Sequence, residues 1–332
     1  MRAVPLCDYE ALKPYIDWVV AGEESVLWLG RPMYLCKTSG TMSGAKYILI
    51  TKDSLPNHIG SVRRALLAYI ANSGRSEFVD GKMIFLQGSL VLDRSKVISL
   101  GWLSGIVANH VLCYFLKNCM PSYAMNTILD WESKVDVIVG ETIGVDMCLI
   151  SGISAWVQMY FERVLARTGK ANVREVFPNF FLFVYGGVNY TLYRSCMETL
   201  IGGSVLSVEL FSASEGFIAY QDKSNEEGLL LVLDNGIYFG FFPIALGNPS
   251  PWERGSGVGV FYIGEVEIGV QYALILYTNV GLWGYEIGDM IKFVSLLLPR
   301  MVVTGRIKHF ISAFGEHVIA EEVEGALQDV MA

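Results

Sequence analysis

Charge is what this chain has least of. Asp, Glu, Lys and Arg make up 17% of the 332 residues against 52% hydrophobic, so a membrane reading must be tested before a soluble one is adopted. The stretch nearest to a span is 97–115, uncharged when His110 is neutral, but it holds Ser99, Gly101, Ser104, Gly105, Asn109 and His110, which suit lipid poorly. A buried soluble helix and no membrane partner are the expectation. The chain also lacks any long basic run or RNA-binding aromatic motif, and its formal net charge is −8. Both features argue against a nucleic-acid partner and leave a free nucleotide open. Zinc-ligand spacing is missing too: the six cysteines, at 7, 36, 113, 119, 148 and 196, are scattered and read as reduced, core-filling thiols of a cytoplasmic protein. The amino terminus shows no charged leader, apolar run and small-residue cleavage site, so no signal peptide is expected. Neither His309 nor His317 has a Ser or Cys partner at catalytic spacing, and both read as structural or solvent-facing. No internal repeat occurs.

What is present begins with Lys37-Thr38-Ser39-Gly40-Thr41-Met42-Ser43-Gly44-Ala45-Lys46. Glycines let backbone N–H groups converge, the hydroxyls donate and the two lysines bring positive charge, a composition suited to phosphate. The spacing is not that of a Walker A loop, because Lys46 is followed by Tyr47-Ile-Leu-Ile50, which reads as a strand. On composition alone an ordinary hairpin loop is an equal alternative.

Helical spacing marks 9–20, and Thr51-Lys-Asp-Ser54 opens a second helix through 72 with Pro56 in its first turn. A buried strand is expected at 81–88, and helices at 102–117 and 125–142. From 146 a strand-then-helix rhythm predicts a parallel sheet: 147–150 then 154–167, 180–185 then 190–200, then 205–211. Ligands of such sheets sit at the carboxyl ends of the strands, where Gly186-Gly187 and Ser212-Ala213-Ser214-Glu215 would lie. Beyond 228 the pattern changes to hairpins. Strands at 229–233 and 237–242 flank Asp234-Asn235-Gly236, a strong turn signal, and 247–259 reads as a mobile loop. Trp156, Tyr160 and Phe161 share one helix and read either as core or as the wall of an acyl pocket. Near 315 stands the one candidate domain boundary, followed by a helix at 320–330.

Thr38-Ser-Gly-Thr41 with Gly44 and Lys46, Phe211-Ser-Ala-Ser-Glu215-Gly, Tyr285-Glu-Ile-Gly-Asp289 and Thr304-Gly-Arg306-Ile-Lys-His follow the order used by adenylate-forming enzymes. Together with Val4-Pro-Leu-Cys-Asp-Tyr-Glu and Leu182-Phe-Val-Tyr-Gly-Gly-Val-Asn-Tyr190, they resemble the acyl acid–amido synthetase family, named for plant auxin-responsive proteins and also found in bacteria. The resemblance covers nearly the whole chain. It implies an α/β fold: the large amino-terminal domain of luciferase-like adenylate-forming enzymes, with mixed sheets flanked by helices and a hairpin or barrel-like part. That domain would occupy 1–315, and 316–332 would be the hinge and first helix of a largely missing carboxy-terminal lid.

The resemblance also implies ATP/AMP and Mg²⁺ as cofactors, with a small carboxylic acid, aromatic ones included, and an amino acid as substrates. Thr38, Ser39, Gly40 and Thr41 would fold over the β and γ phosphates. Lys46 and Glu215 would be catalytic, Glu215 also holding Mg²⁺ near the α phosphate as a hard oxygen ligand. Phe211 stands where many relatives have Tyr and would stack on adenine, with Ser212, Ala213 and Ser214 beside it. Asp289 and Arg306 would reach the ribose. Gly186 and Gly187 would let backbone approach the adenine, although a plain strand-to-helix turn explains them as well. Met42 and Leu49 depart from the expected Thr and Pro. An acyl-CoA ligase and a non-catalytic nucleotide- or acid-binding module are the rival readings. Relatives carry a leading helical segment before 4–7 and a mobile domain of roughly a hundred residues after 315–316. The chain as given is therefore expected to bind adenine nucleotide without forming amide at a useful rate.

Overall fold

The computed structural model describes residues 4–38, 46–94, 97–110, 117–187, 190–244, 259–307, 310–313 and 316–319. Ser39, Gly40, Thr41, Met42, His309, most of the 247–259 segment and the helix expected at 320–330 lie outside the described residues.

Helix α1 (Tyr9–Ala21) begins where the Asp8 carboxylate accepts from the Ala11 N–H at 3.1 Å and ends at Gly22, whose φ of 104° continues no helix. It packs on a small sheet in which β1 (Tyr34–Thr38) runs antiparallel to β2 (Lys46–Ile50) and parallel to β4 (Ser99–Gly101). Tyr9, Ile16, Val19, Leu35, Cys36, Ile48 and Ile50 fill the core between them. Helix α2 (Leu55–Ser73) follows, with Pro56 in its first turn and Gly74 closing it in the left-handed region.

The other large element is an 11-stranded mixed sheet, in the order β11-β12-β13-β14-β10-β9-β8-β7-β6-β3-β5. Its parallel half is β3 (Lys82–Phe85), β5 (Cys119–Met120), β6 (Met147–Ser151), β7 (Leu182–Gly186) and β8 (Leu206–Ala213). Near-continuous apolar runs such as Met147–Ser151 suit strands covered on both faces. One cover comes from α5 (Trp131–Thr142), α6 (Ser154–Thr168) and α7 (Thr191–Ile201), which share a core of Ile84, Ile138, Ile150, Phe161, Phe183 and Met197 with the strands. The remaining strands are β9 (Gly216–Tyr220), β10 (Leu229–Leu231), β11 (Ile237–Pro243), β12 (Gln271–Thr278), β13 (Trp283–Ser295) and β14 (Arg300–Arg306), all antiparallel. A separate hairpin, β15 (Phe310–Ala313) with β16 (Glu316–Ile319), occupies the place expected for the hinge.

The strand-helix rhythm between 146 and 211 is therefore realised as expected, and several other expectations are corrected. The single helix expected in 97–115 is instead β4 followed by the short α3 (Leu103–Ala108), with residues 111–116 outside the description. Parallel pairing to β1 claims Ser99–Gly101. No described helix is long and apolar enough to cross a membrane. The helix expected at 125–142 is broken into α4 (Tyr123–Asn126) and α5, because the Asp130 carboxylate caps a new start by accepting from Ser133 N–H at 2.8 Å. The turn at Asp234-Asn235-Gly236 exists, with Gly236 at φ 69°, yet β10 and β11 do not pair across it. Asn235 is drawn into the core instead, its side chain donating to Phe217 O at 2.9 Å while Asn57 donates to Asn235 O at 2.9 Å. The short β10 is meanwhile taken up by β9 and β14. Among the cysteines Cys36 and Cys148 are buried as expected, but Cys196 is exposed.

Candidate active site

Asp289 and Arg306, 17 residues apart in sequence, face each other across the β13–β14 ladder. The Arg306 Nε–H donates to Asp289 Oδ1 at 2.8 Å, with the carboxylate side chain 9% exposed and the guanidinium 55% exposed. The hydrogen bond and charge of Asp289 raise the pKa of Arg306 further above its ordinary value. One rim of the site is thus a buried carboxylate with a cation reaching outward beside it.

Glu215 comes from the other side. Ser214 and Glu215 form the turn between β8 and β9, closed by the Ala213–Gly216 pair. Ser214 Oγ accepts from the Cys36 thiol at 3.2 Å, and Glu215 Oε1 accepts from the Tyr285 phenol at 3.4 Å. Burial raises the Glu215 pKa, the charge of Asp289 adds to the rise, and Lys46 and Arg306 oppose it. The charges of Lys46 on β2, Asp289 on β13 and Arg306 on β14 therefore all act on Glu215 in the β8–β9 turn.

Lys46 is held by its surroundings. Its ammonium lies 5.1 Å from the centroid of the Tyr9 ring, and the Tyr9 hydroxyl accepts from Tyr47 N–H at 2.9 Å. Thr38 is its cross-strand partner, so Thr38 and Lys46 are the described residues on either side of Ser39, Gly40 and Thr41. Gly186 ends β7 opposite Leu210, and a Cβ there would lie 2.2 Å from Leu210 O. Strand packing by itself thus requires that glycine, whereas a Cβ at Gly187 would meet only Ile153 Cγ1 at 3.9 Å, and its φ of 84° is what favours glycine there. Phe211 is half-buried against the core of Ile218, Leu229 and Phe241, and Ser212 is exposed.

Of the aromatic residues weighed for an acyl pocket, Tyr160 and Phe161 are fully buried core, the Tyr160 hydroxyl bonded to Thr142 Oγ1 at 2.7 Å. Trp156 stacks on Trp131 with centroids 4.1 Å apart. Sequence reasoning gave no role to Tyr9, Cys36 or Tyr285, although Tyr285 opens a motif it singled out. Burial pushes the Cys36 thiol up to about 12, a value for an unreactive thiol held as a bonding group.

The sequence matches the GH3 family N-terminal domain over residues 1–206 and the GH3 family central domain over residues 230–306. The chain belongs to the GH3 family. No curated protein sequence matches this GH3 chain. Among solved structures it is similar to a GH3.15 acyl acid amido synthetase at 16% identity and TM-score 0.75, with 98% of this chain and 65% of that one covered. The same synthetase solved in complex with 2,4-DB matches at 15% identity, TM-score 0.75 and the same 98% and 65% coverage. A 2-hydroxyisobutyryl-CoA ligase solved with 2-HIB-AMP in the postadenylation state matches at 14% identity and TM-score 0.64, covering 98% of this chain and 63% of that one. The GH3 chain thus has the fold of the large adenylate-forming domain of these proteins and spans about two thirds of their length.

Proposed function

We propose that this GH3 chain is the nucleotide- and acid-binding part, over residues 1–315, of an ATP-dependent acyl acid–amido synthetase. An oxygen of a carboxylic acid attacks the α phosphorus of ATP, the bond to the bridging pyrophosphate oxygen breaks, and acyl-adenylate and pyrophosphate result. An amino acid nitrogen then attacks the acyl carbon, AMP leaves with the bonding electrons, and the nitrogen loses a proton. The observation that carries this reading is the Asp289–Arg306 pair across the β13–β14 ladder, with the charges of both, and of Lys46, acting on Glu215.

Each group has a task in that scheme. Asp289 accepts from the ribose hydroxyls, with Arg306 holding it in place and facing the same sugar. Thr38, Ser39, Gly40 and Thr41 cradle the β and γ phosphates, and Lys46 offsets their charge at the foot of the loop. Phe211 with Ser212, Ala213 and Ser214 borders the base, beside the strand end at Gly186 and Gly187. Among the described residues no cluster of three or more His, Cys, Asp or Glu can hold a metal ion by itself. Mg²⁺ needs only one or two carboxylates from a protein and takes phosphate oxygens and water for the rest. Glu215 is the residue to hold it, and a bound Mg²⁺ would neutralise phosphate charge as pyrophosphate departs.

Acid-dependent exchange of labelled pyrophosphate into ATP, screened over aromatic and aliphatic acids in the full-length protein, tests adenylation and narrows the acid together. Amide product with an amino acid, and none with a thiol acceptor, is the expected second result. Thioester formation would identify an acyl-CoA ligase, and tight ATP binding without any acid-dependent exchange would reduce the protein to a nucleotide-binding module.

A further inference from the structure

Tyr285 opens the motif that ends at Asp289, and no step above uses it. Its ring is 2% exposed and lies in the core that also contains Tyr9, Cys36 and Ile48. Its backbone is pinned on both flanks by one residue from the amino-terminal motif: Cys7 N–H donates to Gly284 O at 2.9 Å, and Glu286 N–H donates to Cys7 O at 2.9 Å. Gly284, at φ 69°, allows that approach, since a Cβ there would meet Pro5 O at 2.5 Å. The ring therefore has little freedom, and a buried phenol needs an acceptor for its O–H. Its acceptor is Glu215 Oε1, at 3.4 Å. Glu215 itself sits on a tight turn, where a flexible side chain would otherwise sample several rotamers.

We propose that Tyr285 is the positioning residue for Glu215: its phenol O–H fixes the carboxylate that meets the metal and phosphates, so that strand β13 sets both that height and, through Asp289, the place of the ribose. The inference rests on Glu215 as the Mg²⁺ ligand. The amino-terminal Val4-Pro-Leu-Cys motif acquires a task in the same stroke, because Cys7 locks the strand from which Tyr285 projects. Long hydrogen bonds of this kind commonly tighten once ligand is bound.

ATP binding to the wild-type chain, Tyr285→Phe, Glu215→Gln and the double variant is titrated calorimetrically over a range of Mg²⁺ concentrations, with melting curves recorded beside each. Tyr285→Phe keeps the packing volume and removes only the donor. It is expected to raise the Mg²⁺ concentration for half-maximal ATP binding about fivefold, the scale of one ordinary hydrogen bond and less than a short one to a charged group would give, to bind normally at saturating Mg²⁺, and to add nothing in the Glu215→Gln background. If Glu215→Gln shifts the Mg²⁺ requirement and Tyr285→Phe does not, or weakens ATP equally at every Mg²⁺ concentration, the positioning role is overturned while the metal role stands. If Glu215→Gln itself leaves the Mg²⁺ requirement unchanged, both fall. Should Tyr285→Phe fail to fold, protein labelled with [¹³Cζ]tyrosine supplies the readout: a phenol resonance must move on Glu215→Gln, and an unchanged spectrum overturns the proposal.

Discussion

At the scale of single residues, the site sets a buried carboxylate beside an exposed cation. Asp289 is buried and paired, so removing it leaves Arg306 without the partner bonded at 2.8 Å and, on the function proposed, subtracts an acceptor for ribose. Asp289→Ala is expected to weaken ATP binding by about 1.5–3 kcal/mol, the range for hydrogen bonds to a charged group. Calorimetric titration checks it, and an unchanged dissociation constant in a folded variant would take Asp289 out of the site. Glu215 makes a prediction of opposite sense for stability. Burial first, and Asp289 second, hold its folded pKa above the ordinary value. The folded protein thus keeps this proton to a higher pH than the unfolded chain does. The stability tied to that proton is complete below the ordinary carboxylate range and is lost as pH rises through the folded pKa. Glu215→Gln cannot ionise. Without nucleotide its melting temperature should therefore exceed that of the wild type increasingly as pH rises from the acid range toward neutrality, and parallel pH profiles would contradict this account.

At the scale of elements, the glycine at the end of β7 separates two meanings of one residue. Glycine can admit a ligand or admit a neighbouring strand, and the 2.2 Å from a built Cβ to Leu210 O favours the strand. Gly186→Ala is expected to destabilise the fold by about 1–3 kcal/mol, as other overpacked sites do, seen as a lower denaturation midpoint. Loss of ATP affinity at unchanged stability would instead return the residue to the adenine pocket. The strand-helix alternation that places Gly186 was legible because hydrophobic period and length agree along 146–211. The hairpin at Asp234-Asn235-Gly236 was not, since a turn signal says that the chain reverses and is silent on which strand will pair with which. β10 instead pairs on its two edges with β9 and β14, both distant in the order of the sheet from β11.

At the scale of the whole molecule, the site draws on the amino-terminal sheet, the β8–β9 turn and the β13–β14 ladder. A nucleotide bound there, as proposed, would brace parts of the chain that are far apart in sequence. ATP with Mg²⁺ at a hundredfold excess over its dissociation constant should therefore stabilise the protein by about 2.7 kcal/mol, raising the melting temperature. Omitting Mg²⁺ should remove most of the rise, because on the function proposed phosphate charge beside Glu215 and Asp289 would then go unneutralised. An equal rise with and without the metal would count against Glu215 as its ligand.

The sequence by itself determined the order of the chemistry-bearing motifs and the alternation that builds the parallel half of the sheet, and, through its family resemblance, put forward Lys46, Glu215, Asp289 and Arg306 as candidates. These depend on local spacing and residue type, which are written along the chain. Only the tertiary structure decided that Arg306 stands opposite Asp289, that Cys36 and Tyr285 hold the Ser214-Glu215 turn, and that Cys7 clamps β13. Each of those contacts joins residues whose separation along the chain carries no periodic signal, so nothing short of the folded packing could bring them together.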